Sequence, residues 1–171
     1  DDIKRSFPLA VDLGCHDGRL ARHLSGRSGI ERLVQCDISR ALVSEAKGPY
    51  RVVADEEWLP FAGERLDLII SALSLHWVND LPGALIQIRR ALRPDGLFLA
   101  AMLGGDSLTE LRQALVRGES ELQGGISPRI APFVEIRDLG ALLQRAGFAL
   151  PVVDSDTITV TYPDALALMR D

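Results

Sequence analysis

The segment Val11-Asp12-Leu13-Gly14-Cys15-His16-Asp17-Gly18 is the clearest indication of the fold of this chain. It ends a short apolar run, Leu9 to Leu13, that is typical of a β-strand, and it leads into a helical segment, Arg19 to Leu24. A glycine-containing turn between a strand and a helix lets the backbone come close to a nucleotide cofactor. Asp37 ends the next apolar run, 19 residues after Gly18, where a carboxylate can accept hydrogen bonds from ribose hydroxyls. The two features together predict an adenosine-containing cofactor.

Outward from this stretch, short apolar runs alternate with helical segments, which is the pattern of βαβ units and a parallel sheet. The predicted elements are strands at Leu33 to Cys36, Arg51 to Val53, Leu66 to Ser71 and Leu97 to Met102, helices at Ala41 to Ala46 and Leu81 to Leu92, and a turn at Arg93-Pro94-Asp95-Gly96. The predicted fold class is therefore α/β: a Rossmann-like, doubly wound, mostly parallel sheet with at least five parallel strands.

The regular alternation breaks after the fifth predicted strand. Gly104-Gly105-Asp106 precedes a helix near Ser107 to Leu122 and a loop at Gly124 to Pro132. Because ligands bind outside the carboxyl ends of the strands in open α/β sheets, we interpret residues 104–134 as a helical lid insertion. The remaining predicted elements are a helix through Leu139, Leu142 and Leu143 that ends at Gly147, a strand at Thr157 to Tyr162, and a short helix near Pro163.

Length and composition limit the class of protein. The 171 residues fit one domain, 1–171, and the first residue, Asp1, suggests a piece of a longer chain. A net charge of −5 argues against a nucleic acid binder with a general basic surface. The longest apolar run, Leu97 to Leu103, is far shorter than the about 20 residues of a membrane-spanning helix. Two cysteines are too few for a disulfide scaffold.

His76 and Trp77 follow the fourth predicted strand, at the rim where a cofactor and a substrate would meet, and are the candidate catalytic residues. His76 could handle a proton if the acceptor is an amine or hydroxyl, and is otherwise a hydrogen-bonding residue of the rim. Trp77 could form an apolar wall or cover the sheet edge. His16, His23 and His76 lack the spacing of metal ligands, so no metal site is predicted.

The first stretch resembles the opening motif of class I S-adenosylmethionine-dependent methyltransferases, which reads acid-x-Gly-x-Gly-x-Gly. Asp12, Gly14 and Gly18 match that motif, Asp37 resembles the family's ribose-binding acid, and Asp55 its adenine-contacting acid. The resemblance implies S-adenosylmethionine as cofactor, bound by these five residues and His16. His16 stands where the family has its middle glycine, and a positive φ there costs on the order of 1 kcal/mol or more, which puts the cofactor affinity in question.

A closer resemblance lies in Ser71-Ala72-Leu73-Ser74-Leu75-His76-Trp77-Val78-Asn79-Asp80-Leu81-Pro82 and in Gly104-Gly105-Asp106-Ser107-Leu108-Thr109-Glu110-Leu111-Arg112. Both segments are similar to malonyl-acyl-carrier-protein O-methyltransferases of biotin synthesis, and still more to methyltransferase-fold assembly factors of respiratory complex I. The first group implies O-methylation of a small or carrier-bound carboxylate. The second implies modification, by hydroxylation, of a protein arginine. The localisation implied is the cytoplasm in a bacterium or the mitochondrial matrix in a eukaryote.

Arg112 occupies the place of the arginine that holds the substrate carboxylate in the malonyl methyltransferases. A guanidinium can grip a carboxylate with two parallel hydrogen bonds, whereas the alternative is an ordinary ion pair with Glu110 or a solvated partner. If the acceptor is a protein guanidine instead, Asp106, Glu110 and Glu119 are the candidate recognition residues. A third hypothesis is a protein that binds the cofactor without catalysis.

Overall fold

The computed structural model describes residues 5–24 and 29–170. Its strands are β1 (Ala10–Leu13), β2 (Leu33–Asp37), β3 (Tyr50–Val53), β4 (Leu66–Ala72) and β5 (Leu92–Ala101). Its helices are α1 (Arg19–Leu24), α2 (Arg40–Glu45), α3 (Leu81–Ala91), α4 (Thr109–Gln123), α5 (Ile136–Arg145) and α6 (Ala165–Leu168), with a 3₁₀ turn at Leu75–Trp77. Among the described residues, no helix is long and apolar enough to cross a membrane.

The strands form one five-stranded sheet in the order β3-β2-β1-β4-β5, and every neighbouring pair is parallel. The central strand, β1, is buried along its whole length, and its Asp12 lies opposite Gln35 on β2 and Ile70 on β4. Parallel strands bring their carboxyl ends to one edge, so the loops after β1, β2, β3 and β4 meet there. The prediction of a Rossmann-like parallel sheet with at least five strands is confirmed.

The main core lies between one face of the sheet and helices α3 and α5. Leu85 and Ile88 of α3 and Leu143 of α5 pack there against strand residues such as Val11 and Ile69. Asp80 caps α3, because its carboxylate accepts a hydrogen bond from the Gly83 amide at 2.9 Å. On the opposite face a smaller cluster forms around Phe7, Ala10 and Leu68. The burial of both faces explains why the central strands β1 and β4 are nearly continuous apolar runs.

The fifth strand begins earlier than predicted. Leu92 pairs with Leu66 and Leu97 pairs with Leu68, so residues 93–96 bulge out of an otherwise continuous β5. Asp95 has a φ of 62°, which is consistent with the turn chemistry of this segment. The turn therefore exists, but as an irregularity within the strand rather than as a connection before it.

The predicted strand at Thr157 to Tyr162 is wrong. Residues 151–162 are irregular, and the alternating apolar side chains Ile158 and Val160 are 81% and 61% exposed. A strand is stabilised by pairing with a neighbour, and within 5–24 and 29–170 no segment pairs with this one. The short helix predicted near Pro163 is present as α6, where Asp164 caps the helix by accepting from the Ala167 amide at 2.8 Å.

The segment after β5 contains α4 and a loop, residues 124–134. Val134 returns to Gly104 in an isolated parallel bridge, and the Gly105 amide donates to the Val134 carbonyl at 3.1 Å. Glu119 of α4 accepts hydrogen bonds from the backbone and hydroxyl of Ser127 and contacts Arg129 at 2.8 Å. Both ends of the loop are thus held in place. That this segment acts as a lid stays a prediction.

Candidate cofactor and acceptor site

The loop after β1 alternates left-handed residues, because Gly14, His16 and Gly18 have φ values of 71°, 50° and 80°. The amides of Gly14 and Cys15 donate to the Cys36 carbonyl at 2.8 and 2.9 Å, which wraps the loop around the end of β2. The left-handed backbone anticipated for His16 is therefore present, at a position where glycine has no steric cost.

Gly14 and Gly18 also have no room for a side chain. A Cβ on Gly14 would lie 2.1 Å from Oγ of Ser74, and one on Gly18 would lie 2.5 Å from Nε2 of Gln35. From the sequence, these glycines were predicted to let a cofactor come close to the backbone. In the structure, Ser74 in the loop after β4 and the side-chain amide of Gln35 on β2 also lie close to them.

Asp37 is 5% exposed and lies at the carboxyl end of β2. Its Oδ2 accepts the His16 amide at 2.9 Å and its Oδ1 accepts the Ser39 amide at 2.8 Å. Each carboxylate oxygen has a second lone pair, so the group can also accept hydrogen bonds from ribose hydroxyls. Asp37 thus joins the β1 loop to the start of α2, and its ribose-binding role stays a prediction.

Asp12 is 1% exposed, and neither of its carboxylate oxygens has a hydrogen-bond partner among the described residues. Burial raises the pKa of Asp12 to about 6, while the charge of His16 lowers that pKa and the charge of Asp37 raises it. A buried carboxylate without a partner is costly unless a cation or donor meets it. Its place at the end of the central strand fits a positively charged cofactor, and the residues present therefore suit S-adenosylmethionine.

Asp55 lies in the loop after β3, where its Oδ1 accepts the Glu57 amide at 2.8 Å. It is partly exposed, and Trp58 beside it is 78% exposed. The loops carrying Asp12, Asp37 and Asp55 follow β1, β2 and β3, which are neighbours in the sheet. The structure thus places the sequence-predicted cofactor residues along one edge, as the prediction requires.

His76 and Trp77 lie in the 3₁₀ turn after β4. The Nδ1 atom of His76 is buried and has no partner within the described residues, and its ring contacts those of Trp77 and Phe133 at centroid distances of 5.2 and 5.9 Å. Burial, followed by the charge of His16, lowers the pKa of His76, so its imidazole is neutral at pH 7. Trp77 is 72% exposed and does not cover the sheet edge. The apolar-wall interpretation of Trp77 stays a prediction.

Arg112 borders a cavity of about 550 Å³ between α4 and the loop at residues 124–134. Its guanidinium donates to the carbonyls of Gly105 and Ser107 at 3.2 and 3.3 Å, and it has no ion pair with Glu110. Two of its five N–H groups are used in this way, and the others can meet a ligand. Arg129 and Glu135 also line this cavity, and no motif in the sequence indicated either of them.

A second cavity, of about 250 Å³, lies next to His76. Leu75, Leu81, Met102 and Leu142 give it a mainly apolar lining. Pro132 and Phe133 border both cavities, so they form the wall between them. In the described part of the chain, no group of three or more His, Cys, Asp or Glu side chains could hold a metal ion.

A parallel sheet whose central loop alternates left-handed residues, with acids at the carboxyl ends of β1 and β2, defines an α/β domain that binds an adenosine-type cofactor. The chain belongs to the methyltransferase domain family, whose model matches residues 11–100. Membership of this family indicates S-adenosylmethionine as the cofactor, in agreement with the sequence prediction.

Several curated proteins are similar over nearly the whole chain. The human mitochondrial arginine-hydroxylase NDUFAF5 is 51% identical over 99% of this chain and 50% of its own length. A malonyl-[acyl-carrier protein] O-methyltransferase of Methylovorus is 34% identical over 99% of this chain and 60% of its own length. A Rickettsia prowazekii protein described as a methyltransferase, RP459, is 35% identical over 99% and 75%. The chain spans about half the length of the arginine-hydroxylase relatives that match it throughout.

Solved structures share the fold. An S-adenosylmethionine-dependent methyltransferase from Mesorhizobium loti superimposes with a TM-score of 0.68 at 23% identity, covering 87% of this chain and 77% of that one. A chain from the complex between the Haloferax volcanii Trm112 methyltransferase activator and a methyltransferase gives 0.70 at 22% identity, covering 95% and 71%. At this identity the likeness is evidence for the fold alone.

Replacing His16 with glycine should stabilise the protein. The left-handed backbone strains the side chain of His16 only in the folded state. Glycine removes this strain, so the free energy of unfolding should rise by up to about 1 kcal/mol. Chemical denaturation of both proteins measures the change. His23→Gly is the matched control, because His23 lies in helix α1 and glycine there should be destabilising. An equal loss of stability in both variants would contradict the argument from backbone strain.

The affinity for S-adenosylmethionine should depend on pH through Asp12. With a pKa of about 6, this carboxyl is mostly ionised at pH 7 and mostly protonated at pH 5, where we expect binding of the cation to be weaker by up to about tenfold. Without the cation, a raised pKa means that stability falls as pH rises from about 3.8 to about 6 and is level above that. Calorimetric measurement of the S-adenosylmethionine affinity between pH 5 and pH 7 tests the prediction. Asp12→Asn should flatten the pH profile, and a flat profile in the wild type would exclude the assigned role.

Proposed function

We propose that this chain binds S-adenosylmethionine at the carboxyl edge of β1, β2 and β3 and transfers its methyl group to an acceptor held beneath α4. The observation that carries the proposal is Asp12, a fully buried carboxylate without a partner among the described residues. The sulfonium of the cofactor supplies an activated methyl group when it is bound. In this proposal Asp12 holds the cationic end of the cofactor and Asp37 its ribose, so that the methyl group faces the loop after β4.

The acceptor that the geometry supports best is a small or carrier-bound carboxylate. Arg112 keeps donors available at the larger cavity, and its two contacts with backbone carbonyls orient its planar guanidinium. A carboxylate is ionised at pH 7 and needs no general base to accept a methyl group, which suits a site whose His76 is neutral. The segment from Gly104 to Val134 would exclude water while the opposite charges of acceptor and sulfonium cancel.

Replacing Arg112 with lysine should separate acceptor binding from cofactor binding. Lysine keeps the charge but cannot form two parallel hydrogen bonds, so kcat/KM for a carboxylate acceptor should fall by about tenfold or more. The Kd for S-adenosylmethionine should stay unchanged, because Arg112 lies on the α4 side of the site. The measurement is transfer of tritiated methyl groups to malonyl carrier protein, with calorimetry for the cofactor. Arg117→Lys on the exposed face of α4 is the matched control. Unchanged transfer would remove Arg112 from the acceptor site.

A second candidate acceptor is a protein arginine. The favouring observation is the 48–51% identity, over 99% of this chain, to vertebrate proteins named mitochondrial arginine-hydroxylases. Glu135 supplies a carboxylate on the larger cavity that could pair with a guanidinium, whereas Glu119 is already occupied by Ser127 and Arg129. With this function, the localisation we propose is the mitochondrial matrix in a eukaryote and the cytoplasm in a bacterium.

One comparison distinguishes these functions. The full protein is incubated with labelled S-adenosylmethionine and either malonyl carrier protein or arginine-containing peptides, and mass spectrometry then compares complex I subunits from wild-type and deletion strains. Label on the carrier protein supports carboxylate methylation. A modified arginine that is lost in the deletion strain supports the second candidate. Cofactor binding with neither product would support a non-catalytic binding protein and contradict both.

A further inference from the structure

Two consecutive glutamates join the loop after β3 to the loop after β4. We name these the donor-side loop, residues 55–58, and the rim loop, residues 74–79. Glu56 is 7% exposed, and its Oε1 accepts a hydrogen bond from the hydroxyl of Ser74. Glu57 Oε1 accepts the backbone amide of Asn79 at 2.5 Å and the side-chain amide of Asn79 at 3.2 Å. The glutamates therefore hold the rim loop at its first and its last residue.

The donor-side loop is itself fixed to the core. Gln87 on α3 donates from Nε2 to the Glu57 carbonyl at 2.6 Å and accepts from the Leu59 amide at 3.0 Å through Oε1. Its neighbours on α3, Leu85 and Ile88, are fully buried against the sheet. The loop that carries the two glutamates is thus held against α3, and the rim loop is positioned relative to that helix.

The rim loop carries the groups that face the acceptor side. His76 and Trp77 lie between the two anchored ends, and the ring of His76 meets that of Phe133 nearly edge to face. Phe133 borders both cavities, so the position of the rim loop determines part of their shape. On the donor side, Asp55 accepts the Glu57 amide, so Glu57 contacts both the predicted adenine acid and the rim loop.

We infer that Glu56 and Glu57 are positioning residues, through which binding of the adenosine end of the cofactor fixes the rim loop and, with it, the place of His76 at the smaller cavity. The inference rests on the proposed function for its donor. It assigns no chemistry to either glutamate. It predicts that a ligand that contacts only the donor-side loop changes the position of the rim loop as well.

The test measures the rim loop directly. The full protein is labelled with 5-fluorotryptophan, the ¹⁹F resonance of Trp77 is identified by its loss in Trp77→Phe, and S-adenosylhomocysteine is the ligand. Wild type should show a shift of this resonance at saturation. Glu57→Ala should lose most of the shift, while its Kd for S-adenosylhomocysteine stays within about threefold of the wild-type value. Its KM for the acceptor should rise. Glu57→Gln should restore the shift, because an amide oxygen can accept the same hydrogen bonds.

Two further variants complete the experiment. Glu45→Ala, at the exposed end of α2, should behave as wild type. Asn79→Ala removes only the 3.2 Å bond and should reduce the shift in part, which keeps the test decisive if Glu57→Ala does not fold. A full Trp77 shift in Glu57→Ala would overturn the inference, as would a full shift in Asn79→Ala if Glu57→Ala does not fold, or loss of ligand binding in Glu57→Gln. Failure of wild type to bind S-adenosylhomocysteine would instead contradict the proposed function.

Discussion

Replacing Gly14 with alanine is expected to lower the free energy of unfolding by about 2 to 5 kcal/mol and to abolish cofactor binding. Two independent costs add at this position. The φ of 71° is unfavourable for a residue with a Cβ, and that Cβ would lie about 2 Å from the side chain of Ser74. The loop after β4 would have to withdraw, and the hydrogen bond between Ser74 and Glu56 would be lost with it. Chemical denaturation and calorimetry with S-adenosylmethionine measure the two effects.

Gly118 provides the matched control for this substitution. It lies within α4, and a Cβ built there meets no atom within 4 Å. Alanine favours a helix interior over glycine, so Gly118→Ala should raise stability by about 0.5 to 1 kcal/mol and leave cofactor binding unchanged. If Gly14→Ala were as stable as wild type, the contact with Ser74 could not be as close as the structure shows.

The sheet was predictable from the sequence because local patterns determine its elements. β1, β2 and β4 are short, mostly buried runs, and α2, between β2 and β3, begins at a capping Ser39. Where pairing depends on distant partners, the pattern was insufficient. Residues 157–162 alternate like a strand but pair with no strand of the described chain, and the Arg93–Gly96 turn is absorbed into β5 because Leu92 pairs with Leu66. Alternation reports which side chains could share a face and does not supply a partner strand.

In the candidate site, too, the features set by local sequence could be predicted, and those set by distant contacts could not. The acids at the ends of β1 and β2 could be found because they stand at fixed offsets from a glycine turn, and that turn has the left-handed residues that it implied. Arg129 and Glu135 reach the larger cavity only through the course of the loop after α4, which no local pattern specifies. Likewise, the contacts of Glu57 with Asn79 join residues 22 positions apart, and no spacing rule predicts such a pair.

Replacing Asp37 with alanine should weaken binding of S-adenosylmethionine by about tenfold to hundredfold, since each lost hydrogen bond to a carboxylate is worth about 1.5 to 3 kcal/mol. The carboxylate also holds the amides of His16 and Ser39, so the variant should be less stable as well. Asp37→Asn distinguishes the two effects. Its one amide oxygen can still accept a hydrogen bond, whereas its NH₂ group faces an amide donor and cannot accept from the ribose.

Asp17, in the loop after β1, gives the control for loss of a nearby acid. It forms a solvent-accessible ion pair with Arg22 at 3.1 Å, which water screens, so Asp17→Ala should bind the cofactor as wild type does. Calorimetry on the three variants gives the affinities and denaturation gives the stabilities. Full affinity in Asp37→Ala would remove Asp37 from the cofactor site. It would leave the residue as the support of the β1 loop, because its two hydrogen bonds to backbone amides do not depend on any ligand.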